Sequence, residues 1–237
     1  MFYIDWTYII LVLPFVIFSM IASSRVNSTF KEYSTVYSRR GLTAADAARE
    51  VLRQNGVHGV RIEHVPGNLS DHYDPKENVI RLSDKVINST SVAAIGVACH
   101  EAGHAVQYAE NYGPIRLRAA IIPVTNIGSK LAMPLILVGI ALSYMGEIFS
   151  YIAYAGVLLF GLAVLFQLIT LPVEFNASRR AMNAITVNEI LSPDEAQGAK
   201  KTLSAAAMTY VAALAVTLMQ FLRLLLIVSN SSGKKRR

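Results

Sequence analysis

His100-Glu101-Ala102-Gly103-His104 sets two imidazoles four residues apart, with a carboxylate beside the first. Residues four apart on an α-helix share a face, so both rings can converge on one metal ion at roughly 2.0 to 2.1 Å from each nitrogen. Glu101 is then placed to reach a water on that metal without ligating it, as a general base must. With five histidines and ten glutamates in 237 residues, this pattern arises by chance in about 0.4% of chains of the same composition. Cys99 is the one cysteine. It points about 100° away from its neighbour His100 around the helix, so it reads as a small buried residue rather than a soft ligand. A single cysteine also excludes an intrachain disulfide and a metal site built from several cysteines.

A catalytic zinc takes three protein ligands and leaves a fourth position for water. The candidates for the third are His58, His64, His72 and Glu174. Glu174 is favoured, because an apolar hairpin before it returns the chain to the side it left. Asp71-His72-Tyr73-Asp74-Pro75 could line the cleft, with His72 or Tyr73 assisting the oxyanion or the leaving amine. Ordinary loop chemistry explains the same residues. Arg179 and Arg180 could approach substrate carbonyls or lipid phosphates, but two arginines beside a membrane span are most often interfacial anchors.

The elements that must position these residues follow from local signals. Thr43 and Asp46 form a capping-box-like start, Ala44 to Asn55 is rich in helix formers, and Gly56 supplies a stop. A helix is predicted there. Gly59 to Val65 and Asn78 to Leu82 alternate apolar and polar residues and read as paired strands, separated by Pro66, Gly67, Asn68 and the Asp71–Pro75 turn. The second of these strands is expected to be an edge along which a substrate lies extended. A second helix is predicted from about Ser91 to Glu110, after polar Asn88 to Thr90 and before Gly113 and Pro114. It carries the histidines.

Composition places this region in a membrane protein. Hydrophobic residues make up 53% of the chain and charged ones only 16%, with a mean hydropathy of +0.41, too few charges for an ordinary soluble domain. A spanning helix needs about 20 mostly apolar residues. Trp6 to Ala22 is one such run, flanked by Asp5 before it and by Arg25, Lys31, Arg39 and Arg40 after it, the reverse of a signal peptide. It reads as an uncleaved anchor with its N-terminus outside. A second run, Leu131 to Met145, begins near Lys130. A third, Ile148 to Leu171, follows after Gly146 and Glu147 and completes a hairpin. The last run, Ala205 to Val228, contains Gln220 and Arg223, and the residues leave open whether it spans or lies along the interface. Arg116, Arg118, Lys130, Arg179, Arg180, Lys200 and Lys201 flank one side of the hairpin and none of its turn, which assigns that side to the cytoplasm. The net charge of +6 is concentrated locally, four of the positives being Lys234 to Arg237. Nucleic acid is therefore not an expected partner; the lipid bilayer is, and the oligomeric state is not legible.

The residues His-Glu-Ala-Gly-His-Ala-Val-Gln at 100 to 107, Leu-Pro-Val-Glu-Phe at 171 to 175 and Asp-His-Tyr-Asp-Pro at 71 to 75 resemble the membrane-bound zinc metallopeptidases of the YugP type. The resemblance covers nearly the whole chain and extends more distantly to the HtpX and CAAX-processing gluzincins. It implies Zn2+ held by His100, His104 and Glu174, with Glu101 as general base. It also implies a mainly α membrane protein of three to four transmembrane helices with a small α+β zincin-like cytoplasmic catalytic region. The expected organisation is an anchor at 1–23, the zincin-like region at 24–118, a membrane hairpin at 119–171, a cytoplasmic helix with the third ligand at 172–202, and an apolar helix with a basic tail at 203–237. Two positions depart from the pattern of those enzymes. Ser178 stands where the more distant gluzincins have Asp, four residues after the ligand glutamate, and Asn176 where close relatives are expected to have Asp.

The function these features imply is a multi-pass cell-membrane zinc endopeptidase, hydrolysing peptide bonds of membrane or misfolded proteins near the cytoplasmic face. One alternative is a site-2-type intramembrane protease, disfavoured because the chain has no Asp-Gly pair of the kind that class uses for its third ligand. The other is a zinc-stabilised scaffold or chaperone without turnover, disfavoured because a structural site has no use for Glu101.

Overall fold

The computed structural model describes residues 5–233; the basic tail at Lys234 to Arg237 lies outside them. Helix α1 (Leu13–Tyr33) follows a π-helical turn at Tyr8–Val12. Then come α2 (Ala44–Gln54), the strands β1 (Arg61–Val65), β2 (His72–Asp74) and β3 (Val79–Ser83), and α3 (Val92–Ala109). Three long helices complete the chain: α4 (Gly113–Ala141), α5 (Glu147–Val187) and α6 (Pro193–Gly233). The chain is a mainly α protein with a small α+β region, and among the described residues four helices are long and apolar enough to cross a membrane. The helix carrying His100 and His104 is not one of the four.

Two compact units are present, one of Ala22–Arg116 with Pro172–Thr209, the other of the residues through Ile21, Leu117–Leu171 and those from Tyr210 on. In the first, local signals and observed starts coincide. Thr43 Oγ1 accepts the amide of Asp46 at 3.1 Å and donates to its carboxylate at 2.6 Å, closing the first turn of α2. Ser91 caps α3 by accepting the amide of Ala94. α2 and α3 pack through Ala44, Ala47, Ala48 and Val51 against Ala94, Ile95 and Ala98, all buried. Small side chains on both surfaces allow the close approach, and α3 is thereby apolar on most of its circumference.

The sheet departs from expectation in one respect. Its order is β1-β3-β2, with β1 parallel and β2 antiparallel to β3. β3 is therefore central, with both ladders filled, and no substrate can add to it; the expected edge at Asn78 to Leu82 is corrected to β2. The signal was lost because β2 has three residues, too few to show alternation, inside a stretch rich in turn formers. Asp71 anchors its start, accepting the amide and the hydroxyl of Ser83 at 2.7 and 3.0 Å.

In the other unit α4 and α5 form the hairpin. α4 starts at Gly113 rather than near Lys130, running through Pro123 and Pro134; a spanning helix tolerates proline when neighbouring groups satisfy the freed carbonyls. The two helices approach closely at Gly156, where an added Cβ would lie 2.8 Å from the carbonyl oxygen of Ala132 and from the amide nitrogen of Ile136. Small residues at crossings are the usual device of packed membrane helices. Ile136, Ala153 and Val157 form a buried cluster with Leu224 and Val228 of α6, while Val124, Ile127 and Leu158 face outward. α6 is one helix of 41 residues, so the last apolar run is long enough to span. Its Arg223 pairs with Asp5 at 3.3 Å and lies over the ring of Tyr8, which offsets the cost of a charge in that run.

Candidate metal centre

α5 passes through Pro172 without interruption, so the apolar run and the segment carrying Glu174 are one continuous helix rather than two. The missing amide of Pro172 falls between the two segments. Beyond it, α5 lies against α3 at Gly103, the second variable position of the H-E-x-x-H motif. A Cβ on Gly103 would sit 2.8 Å from the carbonyl oxygen of Ala177. Only glycine permits that approach, and it brings Glu174 over the two imidazoles.

Glu174 Oε2 lies 3.3 Å from His100 Nε2 and 3.4 Å from His104 Nε2. The three ligand atoms lie within 4.8 Å of one another, and among the described residues no other cluster of three such groups could hold a metal ion. Bonds of about 2.0 to 2.1 Å arranged tetrahedrally place ligand atoms roughly 3.3 Å apart. The donor set and both Glu174 spacings therefore fit zinc. His104 and Glu174 are buried, at 8% and 4% exposure, so their carboxylate and imidazole face each other in a poorly hydrated setting. Burial acts to lower the His104 pKa, but the Glu174 hydrogen bond and the charges of Glu101 and Glu174 outweigh it and hold the imidazole above its ordinary value. The same negative charges favour a metal cation.

The far nitrogens of both rings are engaged as well. Gln107 Nε2 donates to the carbonyl of Val173 and to Asn176 Oδ1, each at 2.9 Å. A carbonyl can only accept, so the Gln107 amide is oriented with Oε1 toward His104, where Nδ1–H donates to it at 2.9 Å. That leaves His104 Nε2 facing Glu174, where its lone pair is available to a cation when the ring is neutral. Ser178 Oγ lies 3.1 Å from Nδ1 of His100. Two neutral side chains thus occupy the places where carboxylates commonly orient metal-bound histidines. Asn176 Oδ1 also accepts from Arg180 Nε at 2.8 Å, and Arg180 pairs with Glu110 at 2.7 Å. Arg180 therefore braces α5 against the end of α3. The sequence signal for Gln107 is its place three residues after His104, on the same helical face.

Glu101 is 9% exposed and its Oε2 accepts the backbone amide of Tyr73 at 3.0 Å. That amide is on the side of β2 turned away from β3, so the free edge of the sheet faces the carboxylate. The Tyr73 hydroxyl donates to Asn78 Oδ1 at 2.8 Å, and its ring meets Tyr108 at 5.7 Å. Burial beside Tyr108 and Asp74 pushes its phenol pKa up. His72 is exposed, with Nδ1 2.8 Å from the carbonyl of Ser70. His64 pairs with Asp84 on the surface, and His58 is exposed. None of these three joins the cluster. Cys99 is fully buried in the core beside α2.

Residues 8–229 match the model of a protein family described as "Putative neutral zinc metallopeptidase". Over 209 residues the chain is 46% identical to the "Putative membrane protease YugP" of Bacillus subtilis (strain 168), an alignment covering 88% of this chain and 91% of that one. No solved structure matches.

Proposed function

The chain belongs to the neutral zinc metallopeptidase family, and from that premise we propose that it is a membrane endopeptidase. It cleaves peptide bonds of membrane or misfolded proteins beside the cytoplasmic face. His100, His104 and Glu174 are its zinc ligands, and Glu101 is its general base. The observation that carries this reading is the convergence of three ligand atoms at 3.3 and 3.4 Å beside a second carboxylate that does not share their cluster.

Bound zinc supplies polarisation of the scissile carbonyl and acidification of water in its open position. Glu101 takes the proton of the attacking water on its carboxylate and returns it to the leaving amine. The Tyr73 amide holds one oxygen of Glu101, leaving the other for that proton. Extended substrate lies along the free edge of β2, where its backbone pairs with the Tyr73 carbonyl beside the amide that Glu101 occupies, bringing the scissile bond past Glu101. Gln107 and Ser178 hold the imidazoles so that Nε2 of each faces the metal position.

The cytoplasmic placement is supported by the distribution of Arg116, Arg118, Arg179, Arg180, Lys200 and Lys201 against the turn at Glu147, which has no Lys or Arg. A site-2-type reading has less support, since α3 is not among the helices long and apolar enough to span. The test is incubation of purified, zinc-loaded protein with a denatured protein library and mass spectrometry of new termini. New termini that vanish with chelator and with Glu101→Gln are expected. A zinc-replete protein that generates none would favour the scaffold reading.

A further inference from the structure

A groove of about 550 Å³ lies between the C-terminal half of α1 and the start of α6, remote in sequence from the metal ligands. Arg25, Lys200 and Lys201 contribute three positive charges to its walls, and Glu32 one negative charge. Lys201 donates to the Tyr33 hydroxyl at 2.9 Å and lies over that ring. Arg25 and Lys200 have exposed side chains with no hydrogen-bond or ion-pair partner among the described residues. Two cations are thus left over after the groove's own acid is balanced.

The groove's position along its two helices is informative. In α1 no formal charge occurs from Thr7 to Ser24, and Arg25 is the first. In α6 none occurs between Lys201 and Arg223. Both apolar runs therefore end at this groove, with the cations within about one helical turn of the last apolar residues. The headgroup layer on each side of a bilayer is about 5 to 7 Å deep, which is the same distance. Ser28 and Ser204 are among its lining residues, and Met208 is the one furthest along the apolar run of α6. Gly198 lets the ring of Tyr33 press against α6, an added Cβ there meeting Tyr33 Cδ1 at 2.6 Å.

We propose that this groove binds one anionic phospholipid of the adjoining leaflet, its phosphate held by Arg25, Lys200 and the Ser204 hydroxyl and its acyl chains leaving past Met208. A zwitterionic headgroup would leave the surplus charge unmatched, whereas a phosphate with uncharged substituents neutralises part of it and offers hydroxyls to Glu32. A phosphate contact of this kind is charge-assisted, and basic pockets between membrane helices are known to select such lipids.

Native mass spectrometry of the full chain released from detergent tests it, with phosphatidylglycerol, phosphatidylethanolamine or phosphatidylcholine added at equal concentration. One phosphatidylglycerol is expected to be retained per chain, at least about tenfold more readily than either other lipid. Arg25→Gln with Lys200→Gln should abolish the preference, while Arg53→Gln with Lys76→Gln, which removes the same charge elsewhere, should not. Equal loss in both double variants, or a preference for phosphatidylethanolamine, overturns the proposal. So does displacement of the lipid by inorganic phosphate at the same concentration, which would assign the groove to a soluble anion. Both positions are exposed, so the variants should fold, and retained zinc stoichiometry checks that they do.

Discussion

Glu101 and Glu174 are both buried carboxylates beside the same two imidazoles, yet their removal is expected to fail in different ways. Glu101→Gln keeps the shape and the Tyr73 contact but cannot take a proton, so zinc content should stay near wild type while hydrolysis falls at least about a hundredfold. Glu174→Ala removes a ligand atom 3.3 Å from His100, so zinc occupancy, read by mass spectrometry or plasma emission, should fall together with activity. Alanine at His58, His64 or His72 should leave metal content unchanged, since all three are exposed and outside the cluster. Gln107→Ala and Ser178→Ala are each expected to weaken zinc roughly 10- to 100-fold in a competition titration, as loss of a histidine-orienting group does. An unchanged dissociation constant would show that Gly103 and the α3–α5 packing suffice to orient the rings. Cys99, whose thiol burial pushes its pKa up to about 12, should resist alkylation at pH 8 until the protein is unfolded. Rapid labelling in the native state would show that α2 and α3 are not packed as described.

At the scale of elements the metal site depends on how closely α5 approaches α3. Gly103→Ala forces a methyl against the Ala177 carbonyl, and overpacking of this kind costs about 1 to 3 kcal/mol. The expected outcome is a lower Tm with zinc affinity reduced alongside it, because the strain is relieved by moving the helix that carries Glu174. Zinc affinity preserved in the Gly103→Ala protein would show that the helices shift without disturbing the ligands. The start of α2 and the start and end of α3 were legible because Thr43, Ser91 and Gly113 are local signals, acting within a few residues. β2 was not, nor was the central place of β3, because pairing order is set by contacts between strands rather than within them. A proline at Val79 or Ile80 would therefore break the middle of the sheet, not a substrate groove.

The whole molecule is a chain whose apolar runs alternate with the pieces of its polar unit. If residues 24 to 118 and 172 to 202 lie in the cytoplasm, a Cys introduced at Glu147 in a Cys99-free background should react with a membrane-impermeant maleimide in intact cells. One introduced at Lys76 should not. Labelling in the opposite sense would invert the topology. α6 continues without a break from Pro193 to Gly233, and a spanning α6 would place the C-terminus on the same side as Glu147. A protease site added after residue 237 distinguishes that from an α6 lying along the interface.

Composition and spacing alone determined that this is a mainly α membrane protein with an H-E-x-x-H helix, because hydropathy and helical periodicity are written into consecutive residues. They also made Glu174 the favoured partner of His100 and His104 over three histidines. Tertiary structure alone decided that Glu174 Oε2 sits within 3.4 Å of both imidazoles, that Gln107 and Ser178 stand at their far nitrogens, and that the Tyr73 amide rather than its hydroxyl meets Glu101. Those contacts join residues from 28 to 78 positions apart, apart from Gln107 on the ligand helix itself. Over such separations no local pattern specifies distance, and only the packing of α3 against α5 and β2 sets it.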